Sequence, residues 1–447
     1  MPLYFRNVGT AWNSTTSWST VSSTGASAGV IPTSIDDVIF DGNSAATCPV
    51  TTTIGLCRNL TTTGWTGTIT LNVDLRVLGN IFTSSGTTVN GVGWFSIVGP
   101  TNKTMNSNGA SFLNFQLGVA GPAAHILTFN DTLNVTNIRH GVANAVTTNG
   151  SQVNVSGSMT MENVGIVWSG TTVYNLIGSG NGTFGMANTT PSFGSLTINI
   201  NKSGGTITFL NIVKLYGTTF NYIAGTINTT TNSSVFDLYG NGTLVNTITS
   251  KTGINEITFN DVRMGFLVGI ATTNLLSNMK ISGNLTCGPF GVNVNTSNGS
   301  FVELIGNLFY GGNGVPSSQY LQGTSFIKFT GSTDTVIEGI GTQPPPTPAV
   351  LLIGINLEIN KSVGKKVTLT PTNVSPKIYL VPGGTAGLKP MSITVTSGIL
   401  DAEANSIVVV GSAGVTNLTT LTLNTGSSTV NFPNLNIEAA GNQLNIN

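Results

Sequence analysis

Apolar and polar residues alternate with a period of two along nearly the whole chain. The pattern is clear in "GTITLNVDLRVLGNIFTSSGTTVNG" (Gly67 to Gly91), "HILTFNDTLNVTNI" (His125 to Ile138), "SQVNVSGSMTMENVGIVW" (Ser151 to Trp168) and "INEITFNDVRMGFLV" (Ile254 to Val268). It continues through "MKISGNLTCGPFGVNVNTSNGSFVELIGNLFYGG" (Met279 to Gly312) and "STVNFPNLNIEAAGNQLNIN" at the end. Each run reads as short strands with one buried face, punctuated by Gly, Asn-Gly or Ser-Gly. The recurring unit is an apolar pair, a Gly-bearing turn, a "T-[IV]-T-[LF]" strand and an "L-x-V-x-G" strand. Thr68-Ile69-Thr70-Leu71 leads to Leu75-Arg76-Val77-Leu78-Gly79-Asn80-Ile81. Ile207-Thr208-Phe209 leads likewise to Val213-Lys214-Leu215-Tyr216-Gly217, and Lys280-Ile281-Ser282-Gly283-Asn284-Leu285 repeats the second half.

Strands this short bury their apolar side only by stacking on their sequence neighbours, which is the logic of a solenoid. The pattern therefore predicts an all-β chain, a right-handed parallel β-helix with coils of about 20 to 25 residues. An array of antiparallel β-sandwich domains is the rival. Against it stand the irregular unit lengths and the lack of an immunoglobulin-like Cys/Trp arrangement. One phrase occurs almost twice, "LTININKSGGTITF" from Leu196 and "LEINKSVGKKVTLT" from Leu357. Read as a rung, it turns Ile198, Ile200, Ile207 and Phe209 inward in one copy and Leu357, Ile359, Val367 and Leu369 in the other. Gly204-Gly205 then makes a corner that needs positive φ.

Four segments follow from breaks in the rhythm. Residues 1–44, with Trp12 and Trp18, read as an N-terminal cap or attachment region covering the open end of the first rung. Residues 45–341 form the solenoid. The proline run in 342–350 is an extended linker or projecting loop, since it fits no central strand. Residues 351–447 are a further solenoid section or β domain. The end is still in strand rhythm, so its edge calls for a partner, a second copy or another protein.

Composition narrows the function. Charged residues are 7% of 447 positions, Gly fills 56, and the formal net charge is zero, with 16 basic and 16 acidic side chains. The surface must be hydroxyl and amide, and 39% apolar residues in alternation separate the chain from disordered Gly/Ser/Thr/Asn-rich sequences. No Lys/Arg cluster marks nucleic acid or an anionic membrane as a partner. No run approaches a membrane span, and the N-terminus lacks a signal peptide's basic and apolar regions, so the chain is either made and assembled in a cytoplasm, which the initiating Met favours, or already processed. Cys48, Cys57 and Cys287 read as buried small hydrophobes, although Cys48 and Cys57 are spaced to allow a bridge.

Candidate chemistry is sparse. Asp36 and Asp37, with Asp41 in "SIDDVIFDGNS", and Asp401 with Glu403 in "LDAEANS" are the carboxylates that could act on glycosides or hold Ca²⁺; the plainer reading of the first group is a solvated turn. His125 and His140 have no acid or Cys at ligand spacing, and no G-x-S-x-G or phosphate loop occurs. No cofactor or metal is expected. Trp65, Trp94, Trp168, Tyr310 and Tyr320 sit at turns or beside Gly, where a ring can stack on a sugar or fill a partner's pocket, as Phe290 also does; core packing is the ordinary role of each.

The "AWNSTTSWS … IDDVIFDGNSAATCPVT" opening, the "L-x-V-x-G-N-[LI]" rungs and the "INKSxGxxVTL" phrase together resemble the repetitive β-helical fibre, spike and appendage proteins of tailed bacteriophages. The resemblance extends over most of the chain and is one of style, so it transfers no catalytic residue. It implies a virion structural protein, a tail or head fibre or spike, commonly a homotrimer that joins other virion proteins and meets host-surface glycans. No heptads or intramolecular chaperone accompany it. The sequence thus favours a non-enzymatic virion component; a tailspike-type polysaccharide depolymerase and a bacterial surface adhesin or filament subunit are the alternatives.

Overall fold

A computed structural model describes residues 1–118, 125–141, 145–162, 167–186, 192–231, 233–239, 245–249, 258–265, 271–288, 292–296, 300–310, 321–322, 326–339, 351–353, 356–370, 377–381, 391–403, 406–410, 420–424, 429–431, 434–438 and 443–446. The chain is a right-handed parallel β-helix. Two compact units are distinguished, Met1–Val213 with Ile223–Asn228, and Lys214–Tyr222 with Thr229–Asn447.

In the first unit three parallel ladders recur once per coil. One carries Val38, Leu60 and Ile81. A second carries Cys48, Ile69 and Val89. The third carries Leu75, Phe95, Phe115, Ile138, Met159 and Phe184. Past the N-terminal segment, partners lie 20 to 25 residues apart, for example Leu56 with Arg76 and Gly182 with Ile207. Alternation sends every second side chain inward, so like stacks on like. Ile198, Ile200, Ile207 and Phe209 are fully buried, as the rung reading expects, and Gly205 has φ +68°.

The second unit keeps the plan with longer coils. Val262 pairs with Leu285 after 23 residues, but Ile337 pairs with Leu369 after 32 and Leu357 with Ile393 after 36. The expected 20 to 25 residues therefore hold for the first unit and for part of the second, and are exceeded toward its later coils, because strand length is fixed by the stack while corners can take insertions. The proline run lies outside the described residues. Strands on either side of it share ladders, Phe326–Gly331 with Asn356–Lys361 and Thr335–Gly339 with Lys366–Thr370.

The N-terminal strand Pro2–Phe5 pairs parallel with Asp37–Asp41 and antiparallel with Trp18–Ser19. Trp12 and Trp18 are buried with ring centroids 5.2 Å apart, against Phe5 and Phe40. Phe40 in turn meets Trp65 at 4.4 Å. This aromatic cluster packs at the first coil.

Corners interrupt the ladders and leave amides to be satisfied. Asn and Asp side chains do this one coil away: Asn59 Oδ1 accepts from the Asn80 amide at 2.7 Å, Asn80 Oδ1 from Thr104 at 2.9 Å, and Asp261 Oδ1 from Asn284 at 2.6 Å. The Gly of each "G-N" rung makes room, since a Cβ on Gly79 would stand 2.2 Å from Asn59 Oδ1.

The repeated "INKS" phrase has a further role. Lys202 and Lys361 are each 1% exposed. Lys202 Nζ donates to Ile177 O at 2.7 Å and to Ser156 O, 46 residues away, at 2.6 Å; Lys361 Nζ donates to Ile305 O, 56 residues away, at 3.0 Å. Each lysine therefore fastens its own coil to carbonyls lower in the stack. The Cβ of a residue at Gly225 would lie 2.6 Å from Lys202 Cβ, and one at Gly398 2.8 Å from Lys361 Cβ. Burial pulls the Lys361 ammonium down to about 8. The expected inward set held only Ile, Leu, Val and Phe here; the same alternation carries inward, in phase with Ile198 and Ile200, the amine of Lys202, and, in phase with Leu357 and Ile359, that of Lys361.

Candidate binding face

The outer side of the third ladder of the first unit carries the densest polar grouping around a sequence-predicted aromatic. Strands Leu75–Val77, Phe95–Ile97, Ser111–Leu117, Leu133–His140 and Met159–Met161 stack there. Their register aligns Arg76, Ser96, Gln116, Arg139 and Thr160 in one column. Trp94 stands two residues before Ser96 and is half-buried, its amide donating to Asp74 Oδ1 at 3.0 Å. Arg139 gathers the group. Its guanidinium lies 3.8 Å from the Trp94 ring centroid, donates twice to Gln116 Oε1 at 3.0 and 2.8 Å, and meets Glu162 Oε1 at 2.6 Å. Gln116 is held from its other end by Nε2 donating to Gly118 O at 2.9 Å. Cation–π contact and bidentate donation fix a long side chain that would otherwise be mobile. The face can stack a flat apolar surface and bond hydroxyls or acids.

The other predicted residues fare differently. Trp65 is 2% exposed with Nε1 donating to Ala45 O at 2.9 Å. Trp168 is fully buried and donates to the Tyr174 hydroxyl at 3.0 Å, which donates to Thr148 Oγ1 at 2.8 Å. Neither ring can meet an outside ligand: both turned inward because a turn in a solenoid is still one wall of the core. Tyr310 ends the strand Leu308–Tyr310 and its side chain is not described; Tyr320 and Phe290 lie outside the described residues.

The carboxylate candidates do not converge. Asp36 is buried and accepts from the Thr33 amide at 2.9 Å and hydroxyl at 2.6 Å; burial pushes its carboxyl up, but these bonds and the Met1 ammonium outweigh it and leave it below the ordinary value. Asp37 takes Arg58 bidentately at 2.8 and 2.5 Å with Asn59 at 2.7 Å, and the Arg58 bond holds its carboxyl low. Asp41 caps the Asn43 amide at 2.9 Å. Asp401 accepts from the Glu403 amide at 2.8 Å and Asn431 at 2.9 Å, and Lys366 stands 3.6 Å from Asp401 and 3.5 Å from Glu403. Among the described residues no three His, Cys, Asp or Glu gather as metal ligands.

His140 is fully buried and held neutral, down to about 3, by desolvation and by His125. The three cysteines are free and buried, and burial raises all three thiols, Cys287 to about 12. They do not bridge, which leaves them as the small hydrophobes the sequence suggested.

Sequence reasoning missed one buried acid. Asp237 in the second unit is 6% exposed, its Oδ1 is without a hydrogen bond, and burial lifts its carboxyl to about 6 against the pull of Lys214 and Arg263. Lys214 Nζ sits 4.0 Å over the Tyr239 ring, Tyr239 lies 5.8 Å from Tyr216, and Arg263 is the register partner of Asp237. It also missed Arg76, Ser96, Gln116, Arg139 and Glu162. Spacing at the coil period, from 76 to 96, 116 and 139, was the signal that could have aligned four of them. No described helix is long and apolar enough to cross a membrane. No protein-family model matches the chain, and neither a curated protein nor a solved structure matches it.

Proposed function

We propose that the chain is a non-enzymatic structural component of a virion, a fibre or spike protein of tail or head, that assembles with itself as a trimer and adheres to host-surface glycans. The observation that carries this reading is how its few charges are used. In the second unit Lys280, Glu303, Lys328 and Glu358 alternate along one column, with ion pairs at 3.1 Å between the first two and 3.0 Å between the last two. In the first unit Asn134, Asn154, Asn175 and Asn199 bond in series at 3.0, 3.1 and 2.8 Å. These polar side chains bind coil to coil along the stack, as a fibre that must resist pulling and shear requires. Light scattering on the purified chain tests it: three times the 46.1 kDa chain mass is expected, and a monomer overturns the fibre reading.

A polysaccharide depolymerase is the second reading, favoured by Asp237, since a desolvated carboxyl beside two cations and a phenol is a common catalytic environment. Depolymerisation of capsular or cell-wall polysaccharide that Asp237→Asn abolishes would establish it. No release of new chain ends removes it.

A further inference from the structure

Two donors on the Trp94 face are unused. Arg76 Nε and Ser96 Oγ are buried without a hydrogen-bond partner, and the two residues are adjacent in register. Buried donors are rarely left unpaired, so their adjacency on an outer face calls for an acceptor. Arg76 also forms no ion pair among the described residues, whereas Arg139 is matched by Glu162. The centre of the column is therefore cationic, with the acids Asp74 and Glu162 beside it. A neutral hydroxyl would satisfy a donor but not the unmatched charge; a carboxylate satisfies both through charge-assisted bonds. Trp94, half-buried two residues from Ser96, offers the flat ring on which the C–H face of a sugar stacks.

We propose that this face binds a carboxylate-bearing saccharide of the hexuronate type, with Arg76 and Ser96 donating to its carboxylate, Trp94 stacking on its ring, and Gln116 and Arg139 meeting its hydroxyls. The proposal rests on the adhesive part of the reading above and names its ligand. Ser96 is fully covered, so entry entails a rotamer change among the larger side chains of the face. Because Glu162 offsets Arg139 and Arg76 is a single unmatched cation on the face, affinity falls only modestly with salt.

Trp94 reports on its own site, since Trp12, Trp18, Trp65 and Trp168 are all 2% exposed or less. The full chain is titrated with trigalacturonate, with trigalactose as the neutral match and acetate as the bare carboxylate, following tryptophan emission and heat. Saturable binding of trigalacturonate, weakened about tenfold or more by Arg76→Gln and by loss of the sugar carboxylates, is expected. Trp94→Phe should silence the emission change while calorimetry still detects binding. Ser96→Ala, a smaller change in case Arg76→Gln fails to fold, should weaken the same ligand. Equal binding of the neutral trimer, binding of acetate alone with equal strength, or no saturable binding overturns the proposal. Light scattering on the same sample keeps the outcomes separate: a trimer that ignores every saccharide sinks the site and spares the structural role.

Discussion

At the residue scale the fold depends on small polar side chains placed where the ladders break. Asn80 shows the rule: its carbonyl oxygen takes the Thr104 amide of the next coil, and its own amide is taken by Asn59 below. Asn80→Ala should lower stability by about 1 kcal/mol, seen as a lower midpoint in chemical denaturation, because one corner amide loses its partner. Asp237 runs the opposite way. Its carboxyl is raised to about 6, so the folded chain binds this proton more tightly than the unfolded one. Its contribution to stability is then fully present below the ordinary 3.8 and lost as pH rises through about 6. Asp36 and Asp37, held low, contribute above 3.8 and lose their effect as pH falls. The variant isolates the first effect: Asp237→Asn should be the more stable form at pH 7.5, by about 1–3 kcal/mol, and the gap should close by about pH 4. Denaturation of both proteins across that range checks it, and an unchanged gap removes the buried charge as its cause.

At the scale of the element, the "INKS" phrase acts from within its strands, Thr197–Phe209 and Asn356–Lys361, whose inward side carries the lysine. A lysine fits because a flexible chain can carry a donor into the stack and reach oxygens a single strand spacing cannot. Lys202→Met keeps most of the apolar stem and removes the amine, leaving Ser156 O and Ile177 O without their donor. The expected loss is about 2–3 kcal/mol, with faster amide exchange in Val153–Val155 and Val173–Gly178, the strands leading to those carbonyls. Exchange unchanged in both strands would mean the lysine is merely accommodated. Alternation along "LTININKSGGTITF" puts Lys202 in phase with inward Ile198 and Ile200, but an amine reads as outward until the carbonyls that receive it one and two coils away are known.

At the scale of the whole molecule, each coil meets its neighbours along the stack, so a complete coil is a removable unit. Deleting Thr68–Thr87 brings Thr88 to the position of its register partner Thr68 and Phe95 to that of Leu75. The shortened chain should keep its β-sheet circular dichroism and melt cooperatively. Deleting only Thr68–Val77 shifts every later strand relative to its ladder and should abolish both. Equal damage from the two deletions would mean the coils are not interchangeable.

The all-β stack, the coil period of the first unit, the inward apolar columns and the burial of the cysteines were legible in the residues alone, because all of these follow from period-two alternation and from what a short strand must cover. Tertiary structure decided the rest. Trp65 and Trp168 point into the core while Trp94 stays half-exposed under Arg139, a difference set by which wall of the coil each turn joins. Asp36 and Asp37 are adjacent in sequence yet serve different partners: Asp36 closes the turn before the strand by accepting from Thr33, while Asp37 opens the strand and takes Arg58 from the next coil. Arg76, Ser96, Gln116 and Arg139 are scattered singly over more than sixty residues and become one column when the coils are laid in register. A face of that kind is written across coils, so its residues become neighbours only once each coil's length is known.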